Sequence, residues 1–461
     1  MANMQKEKTL MPLLSLEKRR ATFEEVALGY SAEDAINEAK RCLNCKNSPC
    51  RTGCPVGIDI PAFISRVAEG KFEEAYDIIA KDNCLSLVSG RVCPQERQCE
   101  KHCVRGIKGE SVGIGRLERF VSDYMRAVKK AFPTPKKRGV KIAVVGSGPA
   151  GLSCAGELLS EGFDVTLFEA FHKAGGVLVY GIPEFRLPKK IVEETVDSLK
   201  ARGMELVTNA IIGRTLTVDD LFEMGYAAVF IGSGAGLPQF MNIEGEDLVG
   251  VLSANEYLTR TNLMKAYLEG YDTPAVKSRK VAVVGAGNVA MDAARCAVRL
   301  GAEEVSIVYR RGAEEIPARA EEVEHAKEEG VIFRLLTSPE KILGDESSHV
   351  KGLLCYKTEL GEPDASGRRS PVKLEGSEHE IEVDTVIMAL GTSPNPLIKN
   401  TTPGLDSDKR GRIVTSDGIT TSRKGVFAGG DAVTGAATVI LAMGAGKEGA
   451  KKIKEYIEGK K

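Results

Sequence analysis

The chain has 461 residues, enough for two or three domains that each bury a core of their own. Its 63 basic and 64 acidic residues leave a net charge of -1, which excludes a bulk electrostatic pull toward nucleic acid or an anionic membrane. Tryptophan is absent and aromatics make up 5%, against stacked single-stranded nucleic acid, and no apolar run approaches the ~20 residues that span a bilayer. Charges interrupt the short apolar patch Leu10–Leu14 near the start, so no signal peptide is expected and the cysteines are expected in the reducing cytoplasm.

Residues 1–140 read as a helical domain. Asp59 is placed to cap a helix with Pro61 in its first turn, and after the Gly70 break Phe72, Ala75, Tyr76 and Ile79 recur at helical spacing. Eight of the eleven cysteines fall between Cys42 and Cys103. Their order is Cys42-x2-Cys45-x4-Cys50-x3-Cys54-Pro55, then Cys84, then Cys93-Pro94-x4-Cys99-x3-Cys103. Disulfides fit the compartment poorly. Zinc asks for paired Cys-x2-Cys units and usually histidine, and only Cys42-x2-Cys45 has that form. Cysteine followed by proline is typical of iron–sulfur ligation, which is the favoured reading. His102 is expected at the surface, and Cys154, Cys296 and Cys355 as buried small hydrophobes.

The basic, proline-rich stretch 132–138 reads as a linker, and beyond it the pattern becomes α/β. Lys141–Val145 is predicted as a buried parallel strand, 149–160 as a helix and Asp164–Phe168 as the next strand. Between the first two lies Gly146-x-Gly148-x-x-Gly151, a dinucleotide fingerprint, and Glu169 follows the second strand where a carboxylate can accept ribose hydroxyls. The pattern recurs with Lys280–Val284, the fingerprint Gly285-x-Gly287-x-x-Ala290, a helix over 288–300, and Glu304–Tyr309. Here the strand leads into Arg310 and Arg311 instead of an acid, which suits a 2′-phosphate and hence NADP.

Farther on, 426–431 reads as a short strand ending in Gly429, Gly430 and Asp431, with 442–446 as the start of a helix aimed at a ligand. Strand-plus-glycine segments at 229–232 and 386–391 mark crossings between two nucleotide domains, the second inserted in the first. The expected division is 1–140 helical, 141–250 first nucleotide domain, 251–382 second nucleotide domain, and 383–461 the remainder of the first. One fingerprint is assigned to FAD and the other to NADP(H). No Cys-x2-Cys lies within either, against a thioredoxin-reductase-type dithiol.

Phe23-Glu-Glu-Val26, Arg41-Cys-Leu-Asn-Cys45, Gly176-Val-Leu-Val-Tyr-Gly-Ile-Pro183 and Gly430-Asp431 together resemble one family over nearly the whole chain. It is that of the small subunit of bacterial NADPH-dependent glutamate synthase. Relatives include the large subunit of NADH-dependent ferredoxin:NADP oxidoreductase (the electron-bifurcating transhydrogenase), sulfide dehydrogenase and the N-terminal half of dihydropyrimidine dehydrogenase. The resemblance implies FAD, NADP(H) and two [4Fe–4S] clusters with crossed ligation. Cys42, Cys45, Cys50 and Cys103 would hold one; Cys54, Cys93 and Cys99 the other, with Glu118 at the position of its fourth ligand. Cys84 matches no ligand, and Gly176 is placed at the flavin. The segments 234–238, 253–260 and 262–267 look more like the transhydrogenase branch, with the glutamate synthase small subunit as the alternative. Either way the chain implies an electron-transfer partner, an FAD/[2Fe–2S] subunit or the glutamate synthase large subunit, or ferredoxin, with no nucleic acid and no membrane.

Overall fold

In a computed structural model of the chain, residues 3–128, 135–363 and 369–459 are described. Residues 132–134 of the expected linker lie outside the described residues; Arg138, at its end, donates from Nε to the Glu161 carbonyl at 2.6 Å.

The N-terminal region is helical: α1 (Leu16–Ala21), α2 (Ala32–Ala39), α3 (Pro49–Thr52), α4 (Ile60–Ala68), α5 (Phe72–Asp82), α6 (Ser86–Val92) and α7 (Ile114–Val128). The local signals act as expected. The Asp59 side chain accepts the Ala62 N–H at 3.3 Å with Pro61 in the first turn, and α5 buries Ala75 and Ile79. Helices α6 and α7 pack backbone to backbone at Gly90, where a Cβ would stand 2.7 Å from the Arg119 nitrogen.

The α/β region continues with β1 (Lys141–Val145), α8 (Pro149–Ser160), β2 (Asp164–Phe168), α9 (Val177–Tyr180), α10 (Lys189–Ala201), β3 (Glu205–Val207), α11 (Val218–Glu223), β4 (Ala228–Ile231) and β5 (Leu237–Pro238). The second unit holds β6 (Val251–Ser253), α12 (Ala254–Leu258), β7 (Lys280–Val284), α13 (Asn288–Arg299), β8 (Glu304–Tyr309), α14 (Ala320–Glu328) and β9 (Ile332–Leu335). Then come β10 (Thr337–Gly344), β11 (Val350–Pro363), β12 (Arg369–Lys373), β13 (His379–Glu382), β14 (Thr385–Met388) and β15 (Thr392–Ser393). The chain closes with α15 (Leu397–Thr401), β16 (Val426–Ala428), α16 (Asp431–Thr434) and α17 (Val439–Glu458).

Two five-stranded parallel sheets result, in the orders β16-β4-β1-β2-β3 and β6-β14-β7-β8-β9. The return of β16 to the first sheet shows the second unit inserted in the first. The expected boundary at 382/383 is corrected: β14 runs between β6 and β7 with all four residues buried, so the chain leaves the second sheet only after Met388. Just beyond the two crossing segments the chain pairs with itself as the antiparallel ribbon β5–β15. An antiparallel block, β11 flanked by β10, β12 and β13, is appended to the second sheet and was not foreseen.

The buried hydrophobics of the cysteine-bearing helices and those of α8, β1 and α17 form one continuous core. The second unit has a separate core, which also takes in Val26 and Phe185. Residues 13–27 touch both units: the Val26 N–H donates to the Phe185 carbonyl of the first at 2.9 Å, while from the second Arg299 donates to the Thr22 carbonyl at 3.1 Å and Tyr267 stacks on Phe23 at 4.1 Å. Between the two nucleotide units runs a buried chain of ion pairs, Asp292–Arg186–Glu322–Arg295–Glu329–Arg299, with the Phe185 ring under both Arg295 and Arg299. Among the described residues no helix is long and apolar enough to cross a membrane.

Candidate functional site

The eight cysteines of the N-terminal region separate in space as follows. Cys42, Cys45, Cys50 and Cys103 line one cavity walled by Leu43, Ile60, Ile64, Val112 and Ile114, with about 380 Å³ of empty space, its open mouth included. Cys42 and Cys45 follow α2, Cys50 sits in α3, and Cys103 arrives from far along the chain after the 3-10 turn Glu100–His102. Burial pushes the Cys42 thiol up, with Cys103 and Cys45 adding to it, and pushes Cys50 up to about 11, with Cys42 and Cys103 as its charged neighbours. Among the described residues no three His, Cys, Asp or Glu side chains converge on a single ion. Four thiols around a space fit a cubane cluster better than a tetrahedral zinc.

Cys54, Cys93, Cys99 and Glu118 form a second group. Burial raises all three thiols, and each also feels the Glu118 carboxylate; Cys93 and Cys99 feel Cys54 as well. Cys93 caps α6, its N–H donating to the Ser89 carbonyl at 3.1 Å. Glu118 is not an exposed helix charge. It is buried in α7, where its Oε1 accepts from Ser89 Oγ at 2.5 Å and Asn83 Nδ2 at 3.0 Å. Burial pushes its carboxyl up to about 7 against those two bonds. Metal ligation by Cys42, Cys50, Cys54, Cys93 or Cys99 would release the proton that burial favours on each thiol.

The remaining cysteines stand apart from both groups. Cys84 packs on α8, where a Cβ on Gly156 would meet its sulfur at 2.5 Å. Cys154, Cys296 and Cys355 are fully buried, and His102 is exposed.

At the first fingerprint the three glycines serve three needs. Gly146 has φ of +95°, and a Cβ there would meet the Gly232 carbonyl oxygen at 2.5 Å, beneath the crossing strand. Gly148 faces open space, which leaves a cradle for a pyrophosphate at the start of α8. Gly151 has no room for any side chain: a Cβ would lie 1.8 Å from the Gly146 oxygen. Gly176 closes one side of the cradle, within 2.8 Å of the Gly148 Cα if it bore a Cβ. Glu169 is buried at the end of β2, where Oε2 accepts the Ser147 N–H at 3.0 Å together with the Ser147 hydroxyl, and Oε1 accepts the Phe171 N–H at 2.8 Å.

Gly430 and Asp431 come in from β16 and α16, beside Ala150 of α8. The Tyr180 hydroxyl, pushed up to about 12 by burial and by the Asp431 and Glu169 carboxylates, looks onto the same space. Sequence reasoning missed Ser147 and Tyr180, although Tyr180 lies inside the Gly176–Pro183 motif. The helix expected from 442 begins at Val439, because the Thr438 hydroxyl caps it by accepting the Leu441 N–H at 3.4 Å. Its glycines are packing positions: Gly446 rests on the Ala150 carbonyl, and Gly444 on the Pro55 carbonyl beside Cys54.

The second fingerprint repeats the geometry. A Cβ on Gly285 would meet the Ala389 carbonyl oxygen at 2.4 Å, Gly287 faces open space, and Ala290 is fully buried against the sheet. Arg310 and Arg311 part company. Arg310 is exposed at the end of β8, whereas Arg311 is buried with Nε donating to the Arg369 carbonyl at 2.9 Å.

Residues 19–130 match the family described as dihydropyrimidine dehydrogenase domain II, 4Fe–4S cluster, and residues 140–449 match the pyridine nucleotide-disulphide oxidoreductase family. The glutamate synthase [NADPH] small chain of Escherichia coli K12 is 36% identical over 456 residues, spanning 97% of this chain and 96% of that one. The NADP(+)-dependent formate dehydrogenase subunit beta of Moorella thermoacetica is 39% identical over 89% of this chain, which covers 60% of that longer subunit. Among solved structures, Mycobacterium tuberculosis FprA in complex with NADPH shares the fold, with a TM-score of 0.59 at 21% identity over 70% of this chain and 85% of that one. Matched end to end by such a relative and in both halves by these families, the chain belongs to the glutamate synthase small-chain family of NADP(H)-dependent flavin and iron–sulfur oxidoreductases.

Proposed function

We propose that the chain is the NADP(H)-facing electron-transfer subunit of a cytoplasmic complex of the ferredoxin:NADP oxidoreductase type. Gly146, Gly148, Gly151, Glu169, Gly176, Gly430 and Asp431 hold FAD; Gly285, Gly287, Ala290 and Arg310 hold NADP(H), with Arg311 fixing the turn behind Arg310. Cys42, Cys45, Cys50 and Cys103 ligate one [4Fe–4S] cluster, and Cys54, Cys93, Cys99 and Glu118 the other. Iron–sulfur ligation thus fills 1–140, the FAD unit runs from 141 to 250 and resumes after Met388, and the NADP(H) unit lies between. Bound there, flavin and nicotinamide supply hydride exchange and the clusters supply single-electron transfer.

The chain's own part is placement. Gly148 and Gly287 keep backbone N–H groups open to pyrophosphates. Glu169 takes ribose hydroxyls, and the exposed Arg310 guanidinium takes a 2′-phosphate. An oxygen ligand from Glu118 changes the charge of the second cluster relative to four thiolates.

The observation that carries this reading is the contact between the Cys54 loop and α17. Gly444 abuts the Pro55 carbonyl, and Lys447 Nζ donates to the Val56 carbonyl at 3.0 Å and to Asp82 Oδ1 at 2.8 Å. The helix that follows the Gly430–Asp431 segment is therefore bolted to a cluster-ligating loop, which supports a relay from flavin to cluster.

The test is turnover of the complex purified with its native partner. Reduction of NADP by reduced ferredoxin plus NADH is expected, and its absence rejects the ferredoxin:NADP assignment. The end-to-end match to a glutamate synthase small chain favours a second reading, in which glutamine and 2-oxoglutarate together drive NADPH oxidation by the complex.

A further inference from the structure

Neither the cluster nor the nucleotide assignment uses Glu96, Arg97 or Arg319, yet these residues join the two sites. Arg97 lies on the 3-10 turn Gln95–Arg97, between Cys93 and Cys99. Its guanidinium donates to three successive carbonyls of the second nucleotide unit: Ile316 at 3.2 Å, Pro317 at 2.7 Å and Ala318 at 3.0 Å. The neighbouring residues reciprocate. Glu96 accepts the Ala320 N–H at 3.2 Å and faces the Arg319 guanidinium at 3.7 Å. Arg319 donates to the carbonyl of Arg91, two residues before Cys93, at 3.0 Å.

The other end of the segment reaches the nucleotide fingerprint. The Arg319 N–H donates to Asn288 Oδ1 at 2.8 Å, and Asn288 opens α13 directly after Gly287. Residues 312–320 thus start beside Arg310 and Arg311, touch the first residue of the fingerprint helix, and carry the carbonyls on which the Cys93–Cys99 loop rests. Beside this contact the interface opens into a cavity of about 540 Å³, mouth included, with Arg91, Gln95, Arg319, Glu321 and His325 in its walls. The join therefore depends on a few directed hydrogen bonds. A planar guanidinium fork holds three carbonyls in one arrangement, so movement of those carbonyls moves the loop.

We propose that Arg97 is a positioning residue for the second cluster, and that Arg97 and Arg319 transmit nucleotide occupancy from the 310–320 segment to Cys93 and Cys99. The inference rests on the reading of Arg310 as the 2′-phosphate end of the NADP(H) site. Ligand loops and hydrogen bonds near the sulfurs tune a cluster, so a bound nucleotide alters the second cluster without touching it. By reciprocity the cluster's oxidation state alters nucleotide affinity.

The experiment uses the full, cluster-loaded chain and 2′,5′-ADP, which carries the 2′-phosphate but no nicotinamide. Electron paramagnetic resonance of the dithionite-reduced protein should show one of two cluster signals displaced by 2′,5′-ADP and not by 5′-ADP. The 2′,5′-ADP affinity should differ about fivefold between oxidised and reduced protein. In Arg97→Ala, calorimetry should still detect 2′,5′-ADP binding while the displacement is lost; should that variant lose iron, Arg319→Ala, off the ligand loop, gives the same reading. Binding to the wild type with an unchanged spectrum overturns the inference alone, as does a displacement that survives both substitutions. No binding to the wild type overturns the NADP(H) reading, and this inference with it.

Discussion

Asp431 sits half-buried at the start of α16, where burial pushes its carboxyl up to about 6 against one hydrogen bond from the Ala437 N–H at 3.2 Å. Its proton is held more tightly in the folded chain than in the unfolded one, whose carboxyl titrates near ~3.9. The protonated form therefore adds stability below that value, and the contribution is lost as pH rises through about 6. Asp431→Asn keeps an acceptor for Ala437 and removes the charge. At pH 7.5 the flavin-free variant should be more stable than the flavin-free wild type by about 1 kcal/mol after allowance for solvent screening, and unfold at a higher temperature. The gap should close toward pH 4, and calorimetry that shows it independent of pH refutes the account. At this scale the sequence reveals residue types but not their orientation. Arg310 and Arg311 look equivalent in the chain, yet only one remains exposed, because the second turns inward to the Arg369 carbonyl. Glu118 looks like an ordinary helix charge until Ser89 and Asn83 are seen closing around it.

Helices α6 and α7 present Cys93 and Glu118 to the same space only because Gly90 lets their backbones touch. A methyl at Gly90 would lie 2.7 Å from the Arg119 nitrogen and 2.8 Å from its Cα, neither of which can swing aside. Gly90→Ala should therefore force the helices apart at a cost of about 1–3 kcal/mol. It should reduce iron from about eight to about four atoms per chain while flavin content holds, and iron analysis showing a full complement would reject the geometry. Elements of this kind were legible where one physical signal dominated. The parallel strands β1, β2, β7 and β8 read as near-continuous apolar runs, broken only by Thr166 and Ser306 after their first residues, because both faces of each are buried. The antiparallel block was not legible: β10 contains Pro339 and carries register shifts after Pro339 and Leu343, and β12 alternates only partly buried residues. The start of α17 was missed for a different reason. Its glycines look like a helix-opening loop, whereas they let the helix lie on Ala150 and Pro55.

Across the whole molecule, the crossing segments and the Gly-Gly-Asp return told the order of the two nucleotide units, but not what fixes their mutual orientation. That task falls to groups with no linear signature: the ion-pair chain from Asp292 to Arg299 around Phe185, and residues 13–27, which touch both units. The cysteine helices, by contrast, share one core with α8 and α17, so they are an integral layer of the first nucleotide unit. This arrangement would give the proposed relay a direction. The Cys54 group lies next to α17, and the Cys42 group lines a separate cavity whose walls include the exposed Leu43 and Val104. On the proposed assignment, electrons leaving the flavin would meet the Cys54 group first and reach a partner through the Cys42 group. Cys45→Ser, which strikes only the outer group, should leave reduction of the flavin by NADPH near the wild-type rate in stopped-flow absorbance. The same variant should lose nearly all electron delivery to the partner subunit. Undiminished delivery would place the exit elsewhere, and loss of flavin reduction as well would mean that the outer group, too, supports the shared core.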